Sequence, residues 1–114
     1  MLKITTILCR PGVMDNYAYL LTDEATGISA VVDPSEAAPV IRECAKQGVK
    51  LDYIFNTHHH FDHVEGNCEL KEYFGAKIVC GEADLHRIMG ADIGLKDGEV
   101  FSLGESKAKI IRVD

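Results

Sequence analysis

The hydrophobic pattern of the chain changes period once, at Asp33-Pro34, and that change limits its architecture more than any other feature. Before it, Lys3 to Leu8, Tyr17 to Thr22 and Ile28 to Asp33 are β-branched or aromatic runs. They are separated by Pro11-Gly12, Asp15-Asn16 and the polar stretch Asp23 to Gly27, so they read as a meander of three strands. After it, Ser35 to Gln47 places Val40, Ile41, Cys44 and Ala45 on one helical face. Pro39 falls near the start of this helix, and Gly48 supplies the stop. Tyr53-Ile54-Phe55-Asn56 is then a strand, Gly66 to Phe74 a helix closed by Gly75 that buries Leu70, Tyr73 and Phe74, and Lys77 to Cys80 the next strand. A short helical turn over Glu82 to Met89, a turn at Lys96 to Glu99, and a hairpin of Val100–Leu103 with Lys107–Val113 complete the reading. Strands first, then strand and helix in alternation, predict a layered α/β domain whose sheet carries helices on one face.

Length and composition narrow the function classes. With 114 residues the chain has room for one core, and 46% hydrophobic with 26% charged residues is the balance of a folded globular protein. The net charge is −6 and no Lys/Arg cluster interrupts it, which disfavours binding to a nucleic-acid backbone. No apolar run approaches the roughly 20 residues of a membrane helix, and Met1 to Leu8 lacks the pattern of a signal peptide. A cytoplasmic location without membrane attachment is therefore expected. Cys9, Cys44, Cys68 and Cys80 form no C-x-x-C pair and read as buried or idle thiols.

The chemistry is concentrated in Thr57-His58-His59-His60-Phe61-Asp62-His63, where four of five histidines and a carboxylate follow the strand Tyr53–Asn56 directly. Imidazole and carboxylate together suit zinc, iron or manganese. In an extended stretch His58 and His60 point to the same side and can grip one ion, while His59 points away. Asp62 and His63 lie where the chain must turn toward the next helix, so they are placed to reach a second ion a few Å away. A solvent-exposed histidine loop is the alternative. Clustered imidazoles, however, pack poorly and repel one another on protonation, and ligation relieves both costs.

The run from Thr57 to Asn67 resembles the T-H-x-H-x-D-H signature of the metallo-β-lactamase superfamily, and within it is most similar to glyoxalase II, the hydroxyacylglutathione hydrolases. Asp15-Asn16-Tyr17, Val32-Asp33-Pro34 and Lys96-Asp97-Gly98 match further parts of that pattern. The resemblance implies an αββα sandwich of which residues 1–114 are the N-terminal part of the metallohydrolase domain. It implies that His58 and His60 hold a first metal and Asp62 and His63 a second, with zinc the expected ion and iron or manganese possible substitutes. Asp33 is implied as a residue that orients a ligand, a strand-end turn carboxylate before Pro34 being the alternative; Asn67 reads as the cap of the following helix, and His86, outside any motif, as an ordinary surface histidine. The implied reaction is hydrolysis of S-2-hydroxyacylglutathione to glutathione and a 2-hydroxy acid. Its nucleophile is a hydroxide held between the metals, so no serine or cysteine nucleophile is expected.

The T-P-G-H-T-like segment of the family, with its further first-metal histidine, has no counterpart before Asp114. Nor do the bridging aspartate, the last histidine or the glutathione-binding helices. Two readings follow: a fragment of a longer enzyme, or a short relative that acts as a metal-binding or partner-binding half-domain. A persulfide dioxygenase or a lactonase on the same scaffold is the alternative chemistry. An unfinished sandwich also predicts an uncovered apolar sheet face, and with it self-association of the short chain.

Overall fold

A computed structural model describes residues 2–9, 16–56, 66–82, 85, 88, 90–96 and 99–109. Among them, six strands form one sheet in sequence order: β1 (Leu2–Cys9), β2 (Asn16–Asp23), β3 (Ser29–Val32), β4 (Tyr53–Asn56), β5 (Lys77–Gly81) and β6 (Ala91–Leu95). The first two pairings are antiparallel and the next three parallel, so the sheet changes character at the residue where the sequence changes period. β7 (Val100–Leu103) and β8 (Ser106–Lys109) make a separate antiparallel hairpin. The helices are α1 (Ala37–Gln47), in the crossover from β3 to β4, and α2 (Asn67–Phe74), in the crossover from β4 to β5. Both end on left-handed glycines, Gly48 and Gly75, as the sequence signals.

One face of the sheet takes both helices. Ile7, Ala18, Leu20, Val31, Ile54 and Ile78 from the strands meet Val40 and Cys44 of α1 and Leu70 of α2 in a single core. Burial pushes the Cys44 thiol up from 9.0 to about 11, and Glu43 adds to the shift, so this cysteine behaves as a small apolar side chain. Cys44 and Cys80 are buried and Cys68 is exposed. Two face assignments need correcting. Ala45 is exposed, and Tyr73, expected inside, is 64% exposed and packs its ring edgewise on Phe74 at 4.7 Å. The core beneath α2 is filled by Leu70, with Phe74 packed against it. The hairpin strand expected at residues 107–113 is found at Ser106–Lys109, and residues 110–114 lie outside the described residues.

The opposite face is divided. Tyr53 and Phe55 alternate with Ile54 and so point away from the helices, where Phe101 of the hairpin packs edgewise on them at 5.1 and 5.5 Å. On β1 and β2 the same face is open, with Ile4 61% and Tyr19 42% exposed beside Leu8 and Tyr17.

A buried carboxylate ties the hairpin to the sheet. Asp23, at the end of β2, accepts hydrogen bonds from the Thr26 hydroxyl (2.6 Å), the Glu105 backbone N–H (2.9 Å) and the Ser106 hydroxyl (2.8 Å). Gly104 stands so close that a Cβ there would overlap Thr26 Oγ1 and Asp23 Oδ2, and its φ of 60° is in the left-handed region, so glycine is required on both counts. The Thr26 hydrogen bond, with those of Glu105 and Ser106, draws the Asp23 pKa down from 3.8 to about 2. A carboxylate depressed in the folded state contributes stability that is present above its unfolded pKa and lost as pH falls from about 4 to about 2. The stability gap between wild type and Asp23→Asn, followed by urea midpoints, is therefore expected to be widest above pH 5 and to close toward pH 2. A gap independent of pH would contradict the assignment.

Candidate metal centre

The parallel strands β3, β4 and β5 bring their C-terminal ends together, since Val32 is in register with Phe55 and Asn56 with Cys80. At this edge the chain leaves β3 through Asp33 to Glu36 into α1, and leaves β4 at Asn56 to return at Gly66 into α2. All four expected ligands, His58, His60, Asp62 and His63, belong to the stretch between these two points. Residues 57–65, which include Thr57 and His59, and also His86, lie outside the described residues. Among the described residues no group of three or more His, Cys, Asp or Glu is placed to hold a metal ion. The donor set itself, three imidazoles and a carboxylate, is one that zinc, iron and manganese accept.

The surroundings of the two crossovers are well defined. Asp33 is buried at 9% exposure, and its backbone N–H donates to the Phe55 carbonyl at 2.9 Å, which continues the β3–β4 ladder by one bond. Its φ is 51°, the one positive value among the described non-glycine residues. A residue before proline is ordinarily extended, so this conformation carries strain that the surrounding contacts must hold. At this turn the chain leaves the C-terminal end of β3 for α1.

Gly66 closes the second crossover onto the first. Its N–H donates to the Pro34 carbonyl at 2.9 Å, and a Cβ on it would stand 2.8 Å from that oxygen and 3.0 Å from the Glu36 carbonyl carbon. Glycine is needed here for space. Asn67, expected as the helix cap, is instead the first residue of α2, with Gly66 in the cap position and no side-chain cap bond. Its amide turns inward and exchanges hydrogen bonds with the Asn56 amide: Asn56 Nδ2 donates to Asn67 Oδ1 at 3.3 Å, and Asn67 Nδ2 donates to Asn56 Oδ1. The two side chains are 5% and 2% exposed. Sequence reasoning passed over Asn56, although a polar residue on the buried face of a strand, next to the histidines, was a usable signal.

A family profile described as the metallo-beta-lactamase superfamily matches residues 11–108. The hydroxyacylglutathione hydrolase of Methylococcus capsulatus is 47% identical over 107 residues, which is 94% of this chain and 42% of that protein. The hydroxyacylglutathione hydrolase of Pelagibacter ubique is 43% identical over 112 residues, 98% of this chain and 46% of that protein. Among solved structures, the B3 metallo-beta-lactamase BLEG-1 superposes with a TM-score of 0.79 at 19% identity, covering 94% of this chain and 59% of its own. ETHE1 from Myxococcus xanthus does so with a TM-score of 0.72 at 25% identity, covering 90% and 45%. The chain thus spans less than half the length of these curated relatives.

Proposed function

Because the chain belongs to the metallo-β-lactamase superfamily, we propose that its 114 residues are the metal-binding N-terminal part of a glyoxalase II-type thioester hydrolase, and that turnover belongs to a longer polypeptide. The observation that carries this reading is identity of 43% to 47% to two hydroxyacylglutathione hydrolases, along nearly all of this chain but less than half of theirs. His58 and His60 would hold one ion and Asp62 and His63 another, zinc being the expected metal and iron or manganese suited to the same donors. Bound zinc supplies Lewis acidity toward a thioester carbonyl and activates water near neutral pH. The substrate class is an S-2-hydroxyacylglutathione: water adds to the acyl carbon, the carbon–sulfur bond breaks, and glutathione and a 2-hydroxy acid leave. Asp33 has a positioning role, since it is buried where β3 ends and is bonded through its N–H to the strand that feeds the ligands.

The protein is proposed to act in the cytoplasm. No helix of the described residues is long and apolar enough to cross a membrane. The open apolar face of β1 and β2 accounts for an expected self-association of the short chain. A persulfide dioxygenase or a lactonase on this scaffold is less favoured, because the relatives at 43% to 47% identity along nearly all of this chain are named hydroxyacylglutathione hydrolases.

Zinc titration of the 114-residue chain by calorimetry tests the metal assignment. Binding is expected in the wild type, with a loss of at least tenfold in affinity in His58→Ala and in His60→Ala. Unchanged affinity in both variants would refute it.

A further inference from the structure

We propose that the reciprocal amide pair Asn56–Asn67 is a positioning device, which fixes the two ends of the ligand-bearing stretch relative to each other and so raises its affinity for divalent metal without itself binding the ion. The inference rests on the metal-binding reading above and extends it to two residues outside the ligand set. Asn56 is the last residue of β4 and Asn67 the first of α2, so the pair joins the point where the chain leaves the sheet to the point where it returns. His58, His60, Asp62 and His63 all fall between them in the sequence.

The geometry favours this role over simple space filling. Two buried amides satisfy each other in both directions, and that exchange is possible only at one separation and one mutual orientation. An apolar pair of similar volume would fill the same space at no desolvation cost and would tolerate sliding. The amide pair therefore specifies distance as well as contact. Gly66 N–H bonded to the Pro34 carbonyl, and Asp33 N–H bonded to the Phe55 carbonyl, lock the same two ends to the β3–α1 turn. Ordering a ligand-bearing segment costs conformational entropy when it binds, and ends already held in place reduce that cost.

The test uses zinc and cobalt(II) as probes. Zinc affinity is read by competition with a chromophoric chelator, ligand geometry by the cobalt(II) visible spectrum, and stability by thermal melting. In the double variant Asn56→Leu/Asn67→Leu, which removes both partners of the exchange together, melting is expected within a few degrees of wild type. Zinc affinity is expected to fall at least tenfold and the cobalt(II) bands to lose intensity. Asn67→Ser, a smaller change that breaks the exchange while keeping a polar residue at the helix start, is expected to show the same loss. If the wild type binds metal and both folded variants bind it within threefold with an unchanged spectrum, the clamp is refuted and the metal reading stands. Unfolding of both variants would make the pair a fold determinant and would also overturn the proposal. A wild type that binds neither ion refutes the metal reading and the clamp together.

Discussion

Hydrolysis of S-D-lactoylglutathione is expected to be about a thousandfold or more faster in a chimera than in residues 1–114 alone. The chimera joins this chain to the remaining C-terminal part of the Methylococcus capsulatus hydroxyacylglutathione hydrolase, which shares 47% identity with the region replaced. The 114-residue chain brings two imidazoles to one proposed ion and a carboxylate with one imidazole to the other, whereas catalytic zinc sites usually have three protein ligands. Each 1.36 kcal/mol lost from transition-state stabilisation costs tenfold in rate. Alignment of a bound reactant alone is worth about 7–11 kcal/mol, so a site lacking substrate contacts can lose several orders of magnitude. His58→Ala in the chimera should return the rate to that of the short chain. Glutathione release followed with a thiol reagent measures all three proteins. Equal turnover in the short chain and the chimera would place a complete active site within these 114 residues.

Gly66→Ala is expected to lower stability by about 2–4 kcal/mol, from overpacking against rigid backbone together with loss of the bond to Pro34. The atoms a methyl group would meet are the Pro34 carbonyl oxygen, the Glu36 carbonyl carbon and the Ala37 nitrogen. None of these is the end of a flexible side chain, so relief requires α2 to move away from the β3–α1 turn. For a domain of this size such a loss lowers the melting temperature by roughly 10–25 °C. Gly81→Ala is the matched control, because a Cβ there meets nothing within 4 Å. A melting temperature for Gly66→Ala equal to that of Gly81→Ala would show that the close approach carries no load.

Periodicity revealed the strands before Asp33, both helices and β4 to within a residue or two, because apolar spacing there agrees with the buried face. β6 was missed for a physical reason. Asp92 and Gly94 interrupt its apolar run, and neither residue type favours a strand. Asp92 serves instead as an acceptor for Lys71 Nζ and, at 2.9 Å, for the Ile78 N–H, and these bonds hold its carboxyl below the usual range. The Lys71 ammonium also reaches the Gly90 carbonyl at 3.2 Å, so α2 is fastened to the β6 edge by a contact no local pattern encodes. The expected metal ligands were named from residue types alone, because histidine and aspartate in close succession have few other uses, and they lie outside the described residues. The turn at Asp33 and the Asn56–Asn67 exchange were not, since one is a backbone angle and the other a meeting of side chains eleven positions apart. Asn67 shows the limit most clearly: its type suits a helix cap, yet the partner across the crossover decided its role.

The Asp23 latch also gives the molecule an order of assembly. Asp23 and Ser106 are 83 positions apart, so at about 5–20 residues per second a growing chain makes the carboxylate roughly 4–17 s before the Ser106 partner exists. During that interval Thr26 is the one latch hydroxyl already made, while the strand pairings from β1 to β5 need nothing from residues 100–109. Among β1 to β8, the β7–β8 hairpin is then the last to be synthesised and to dock. Until it arrives, Tyr53 and Phe55 present their rings uncovered on β4, the strand that leads into the histidines. A nascent chain therefore leaves the rings of Tyr53 and Phe55 without their Phe101 partner in the seconds between the synthesis of Phe55 and that of Phe101.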